Sequence, residues 1–141
     1  MSSFEFPIKV DTESVVSQLV EGAFRAPIKI LKHSIKNEEW FKGIILSTVL
    51  LEAIGQWKLR AHFEGKIKPQ RFERLGLEQI IMFLLASGLI DHPTYTKMME
   101  VRRMRNNIVH RLWKGLTLDP TQAKATIKKA IKCLKALGFP E

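Results

Sequence analysis

The sequence predicts an all-α, single-domain helical bundle of about five helices with a short extended N-terminal arm. Three observations predict it. Apolar residues recur at helical spacing through most of the chain. Strand-like alternation is confined to the first ten residues. Asp, Asn, Pro and Gly stand where helices would start and stop. A length of 141 residues fits one core and leaves no room for a second of useful size.

The elements follow in order. Phe4, Phe6, Ile8 and Val10 alternate along an extended chain, and Pro7 makes this segment an edge strand or a packed arm. Asp11 or Thr12 caps a helix through about Phe24, with Val15, Val16, Leu19, Val20 and Ala23 on one face. Pro27 interrupts it, and Ile28 to Ile35 reads as a helical turn or two. Asn37 with Glu38 and Glu39 starts a long helix to about Glu64, ended by Gly65. A basic connector, 66–76, holds Pro69. Leu77 to Ser87 is a nearly all-apolar helix closed by Gly88, expected to be buried on most sides. Asp91-His92-Pro93 opens a fourth helix to about Leu112, and Lys114-Gly115-Leu116-Thr117 is a turn. Asp119-Pro120 caps the last helix, ending at Leu137 before Gly138. The organisation expected is an arm and first helix over 1–36 and a core over 37–141, within one structural domain.

Composition narrows the function classes. Hydrophobic residues make up 45% and charged residues 26% of the chain, which excludes wholesale disorder. The single cysteine, Cys133, excludes an internal disulfide framework and any multi-cysteine metal site. The longest uncharged apolar run, Gln79 to Ile90, is too short for a bilayer, and no signal peptide is visible. A soluble, cytoplasmic protein without a membrane partner is therefore expected. The net charge of +9 favours a polyanionic partner, nucleic acid first.

Two charged residues stand inside apolar arcs. At about 100° per residue, Met98, Val101, Met104, Ile108, Val109 and Leu112 share one arc of the fourth helix, and Arg105 falls in its middle. On the long helix Glu52 sits near the centre of an arc of Phe41, Ile45, Val49, Leu59 and Phe63. A buried guanidinium needs an anion and a buried carboxylate needs a cation. Glu52 and Arg105 are thus expected to face each other across the bundle, and Glu52→Ala would then cost about 3–5 kcal/mol. Residue types alone favour a purely structural ion pair.

The opposite arc of the fourth helix carries Arg102, Arg103, Asn106, His110 and Trp113. The string Glu100-Val101-Arg102-Arg103-Met104-Arg105-Asn106-Asn107-Ile108-Val109-His110 resembles the HEPN family of small all-α domains, often prokaryotic toxin ribonucleases. The family mark is an Arg, usually followed by Asn, and a His after four to six residues. Here that is Arg105, Asn106 and His110. The stretches around Leu84 to Asp91, Leu116 to Ala123 and Leu50 to Ala53 resemble the family too. The resemblance covers about 38–138.

That resemblance implies a metal-independent endoribonuclease acting as a homodimer, with motifs from two subunits meeting in one cleft and no cofactor. RNA supplies its own nucleophile, the 2′-hydroxyl, so the protein need only move protons and stabilise charge on the phosphate. Imidazole is suited to the first task, which falls to His110. Arg105 offers a planar fork to the non-bridging oxygens. Asn106 would orient His110 or the phosphate, and Glu52 would hold Arg105. Arg102 and Arg103 on the rim, with Trp113 for base stacking, would bind the strand. Arg105 and His110 lie about 140° apart on an ideal helix, so they converge on one phosphate only if the Arg swings round or a partner subunit supplies one of them.

Other readings stand beside this one. Leu51-Glu52-Ala53-Ile54-Gly55-Gln56 faintly resembles the signature helix of ribonuclease III domains, which places an Asp for magnesium where Gln56 stands. A non-catalytic dimeric module binding nucleic acid or a nucleotidyltransferase-like antitoxin protein is a third. His33, His62 and His92 lack ligand-type spacing, and no metal site is expected. Lys124, Lys128, Lys132 and Lys135 line one face of the last helix, either solvated or a backbone-binding stripe. Cys133 adjoins the apolar face of that helix and is expected to be inert.

Overall fold

A computed structural model describes residues 23–114 and 118–139, except the side chains of Pro69, Leu112 and Trp113. The arm of Phe4, Phe6, Ile8 and Val10, most of the first expected helix and the turn at 115–117 lie outside the described residues. Within them the chain is all-helical, as expected. Residues 23–25 are helical, and five α-helices follow: α1 Pro27–Lys36, α2 Trp40–His62, α3 Leu77–Ala86, α4 His92–Trp113 and α5 Pro120–Ala136. A 3-10 helix, Pro69–Arg74, lies between α2 and α3.

Pro27 does more than interrupt. As the first residue of α1 its fixed φ suits the opening turn, where its missing N–H is not needed, and a full ten-residue helix follows. Asn37 does not start α2 but closes α1, its backbone N–H reaching the carbonyls of His33 and Ile35. Glu38 then takes a left-handed φ of 54°, which reverses the chain before α2 begins at Trp40. The two aspartates read as caps hold their places. The N–H of Thr94 donates to Asp91 Oδ1 at 2.9 Å, and that of Thr121 to Asp119 Oδ1 at 2.9 Å.

α2 is the central helix and packs against all four others and the 3-10 helix. Its core side is Ile44, Leu50, Leu51, Ile54 and Leu59, all fully buried. Two glycines let neighbours approach its backbone. A Cβ at Gly43 would stand 2.5 Å from Ile127 Cδ1 of α5, and one at Gly55 would stand 2.5 Å from Ile80 Cγ2 of α3. α4 and α5 run antiparallel: Lys129 pairs with Glu100, and the Cys133 thiol lies 3.9 Å from the Thr94 carbonyl oxygen.

Two expected burial patterns are corrected. The arc centred on Glu52 is not the core face of α2; only Leu59 in it is fully buried, while Phe41 is 50% exposed and Val49 36%. The core gathers on the opposite side because α1, α3, α4 and α5 all pack there. α3 is buried on one face only, through Leu77, Ile80, Ile81 and Leu84; Met82 and Phe83 are about half exposed. A ten-residue helix at the edge of a bundle has neighbours on one side, whatever its composition.

Candidate functional site

The chain positions Arg105 by a difference in length. α4 has 22 residues and α3 only 10, so at about 1.5 Å per residue α4 runs some 18 Å further. The two are antiparallel, with α3 beginning beside the second half of α4. There Arg102 Nη2 makes an ion pair with Glu78 Oε2 at 2.9 Å. Beyond that contact one edge of the apolar arc of α4 loses its cover. Arg105 is exposed, and so is Val109 one turn on, while Met98, Val101 and Ile108 remain buried.

This overturns the expected buried pair. Glu52 is half-buried, Arg105 is solvated, and no ion pair joins them among the described residues. They do meet in a looser sense. Both line an open cavity of about 410 Å³, with Gly76, Leu77, Glu78, Gln79, Arg102 and Asn106 completing it. At its floor, where α3 starts, the Gly76 N–H donates to Gln79 Oε1 at 3.1 Å. Two carboxylates and two guanidinia therefore face one open space. Within it Arg105 Nη1 donates to Asn106 Oδ1 at 3.5 Å, a long bond that leaves the guanidinium fork open to a ligand.

His110 is exposed and does not line that cavity. It follows Asn106 by one helical turn, so the two are neighbours along the outer side of α4. Arg103 and Asn107 are exposed on the same side. The side chain of Trp113 lies outside the described residues. The structure thus brings together Arg105, Asn106, Arg102 and Glu52 and leaves Arg103 and His110 on the adjoining surface. Sequence reasoning missed Glu78 and Gln79. Nothing local marks them, because they reach the site only through the antiparallel packing of α3 on α4.

Anionic phosphate suits this chemistry. An exposed guanidinium with an amide beside it can hold non-bridging oxygens, and a solvated imidazole within a turn can exchange protons. No group of three or more His, Cys, Asp or Glu side chains able to hold a metal occurs among the described residues. No described helix is long and apolar enough to cross a membrane. No protein-family model, curated protein or solved structure matches the chain.

Proposed function

We propose that the protein is a metal-independent endoribonuclease of the HEPN class, active as a homodimer. The observation that carries this reading is the exposure of Arg105 and Asn106 on a cavity that Glu52 also lines, with His110 exposed one turn further along α4. A guanidinium kept only as a structural partner would be covered and paired. This one is accessible.

In the reaction the 2′-hydroxyl attacks the adjacent phosphorus, and the bond to the 5′-oxygen of the next nucleotide breaks. His110 moves the proton, and Arg105 stabilises the charge gathering on the non-bridging oxygens. Asn106 orients Arg105, to which it is already bonded, and Glu52 biases the guanidinium toward the cavity without neutralising it. Arg102 serves as a positioning residue, because Glu78 engages it. Arg103 remains open to bind the strand. The wide angle between Arg105 and His110 calls for a second copy, each subunit lending one group to a phosphate. The exposed Val109 between them supplies an apolar contact for that copy.

The test is incubation of the purified protein with total RNA in EDTA. Cleavage leaving 2′,3′-cyclic phosphate or 3′-phosphate ends is expected, with none on DNA. His110→Ala should lose at least about a hundredfold in rate without loss of fold. Light scattering should give twice the mass of one chain, and Val109→Asp should reduce both dimer and activity. Strict magnesium dependence would favour the ribonuclease III-like reading. No cleavage under either condition, with salt-sensitive binding retained, would favour a non-catalytic module.

A further inference from the structure

Positive charge gathers on a second face of this protein besides α4. α1 contributes Lys29, Lys32 and Lys36, and α5 contributes Lys124, Lys128, Lys129, Lys132 and Lys135; neither helix contains an Asp or Glu. Two packed helices thus hold eight positive charges, against a net +9 for the whole chain. Lys129 is neutralised by Glu100 on the α4 side. The other lysines of α5 fall on the arc turned toward α1.

Between the two helices runs a groove of about 310 Å³, its floor Ile35 and Ile131 and its walls Lys32, Lys128, Lys132 and Lys135. Lys128 and Lys132 are exposed and have no ion pair among the described residues. The apolar floor supports the lysine stems and leaves their ammonium heads in water. Along α5 the row Lys124, Lys128, Lys132 repeats about every 6 Å, one charge per turn.

We propose that this α1–α5 face is a sequence-independent docking track for the phosphate backbone of a single-stranded nucleic acid. A regular row of point charges matches a regular polyanion, and contacts made to phosphate read no base. An apolar protein partner, or a membrane held by insertion, would need apolar anchors here. The large exposed hydrophobic side chains among the described residues, Phe41, Val49, Ile67, Met82, Phe83 and Val109, all lie on other elements. The track does not depend on cleavage at α4.

The experiment uses a labelled single-stranded DNA of mixed sequence, which the proposed chemistry at α4 cannot cut, so binding is read apart from cleavage. Fluorescence anisotropy is followed while salt is raised from about 50 to about 200 mM. The triple variant Lys124→Gln/Lys128→Gln/Lys132→Gln should bind at least about tenfold more weakly and lose about two from the logarithmic salt slope, as three lost phosphate contacts require. Lys66→Gln/Arg71→Gln/Arg74→Gln removes the same charge elsewhere on the surface and should change affinity less than about twofold. Unchanged melting curves establish that both variants fold. Equal losses in the two variants would reduce the effect to diffuse charge and overturn the track. So would no loss in the first variant, or binding of the wild type to phosphatidylserine vesicles but not to DNA.

Discussion

Arg102, and not Arg105, makes the ion pair that ties α4 to α3, its Nη2 lying 2.9 Å from Glu78 Oε2. The consequence is that Arg105 is left free of structural duty. Both members of the Arg102–Glu78 pair are partly solvated, so the pair is worth no more than about 1 kcal/mol. It marks the place where α3, the shorter helix, begins beside α4.

Glu52→Ala is therefore expected to lower stability by less than about 1 kcal/mol, far below the cost of breaking a buried pair. Its effect should appear instead in RNA cleavage, through a less well-placed Arg105, with Glu52→Gln retaining part of the rate. Thermal unfolding beside a cleavage assay checks both halves. A large fall in melting temperature would mean that the pair closes in solution.

Gly55→Ala should destabilise by about 1–3 kcal/mol through overpacking, despite a gain of up to about 1 kcal/mol in helix propensity. The obstacle is Ile80 Cγ2, fixed directly to a branched carbon, with Leu84 Cδ1 at 3.3 Å behind it. At Gly43 the closest atom is the flexible end of Ile127, but Ser34 Cβ, fixed to the backbone of α1, stands at 3.1 Å, so Gly43→Ala should destabilise too. Denaturant titration of the two variants should give midpoints below that of the wild type.

Cys133 should resist alkylation in the native protein. It is fully buried, and burial pushes its thiol up to about 12, so almost no thiolate exists at neutral pH. Modification by iodoacetamide should follow global unfolding and become rapid in denaturant. Rapid native-state labelling would contradict the packing of α5 on α4.

Asp91 should give acid sensitivity to the start of α4. Hydrogen bonds from the Thr94 side chain and backbone hold its carboxyl below the ordinary 3.8. A carboxylate lowered on folding stabilises the protein above its unfolded value, and that contribution is lost as pH falls through the folded value. Asp91→Ala should accordingly melt below the wild type at neutral pH. The gap should narrow as pH falls below the ordinary carboxylate range and Asp91 takes up its proton.

Helix positions, caps and the composition of the α4 motif were legible in the sequence because they are local. Asp91 and Asp119 each bond an N–H two or three residues ahead, and Met98, Val101 and Ile108 share a face through the helical repeat alone. The side to which an ambiguous residue turns was not legible. The arcs around Glu52 and Arg105 look as apolar as any core face, yet Glu52 is only half-buried and Arg105 is exposed. α3 is too short to cover the end of α4, and the partners of α2 gather on its opposite side. The pairing of Lys32 and Ile35 with the lysine row of α5 likewise needed the fold, since about a hundred residues separate them. Periodicity determines which residues of a helix can share a face; only the lengths and directions of its neighbours decide which face is buried.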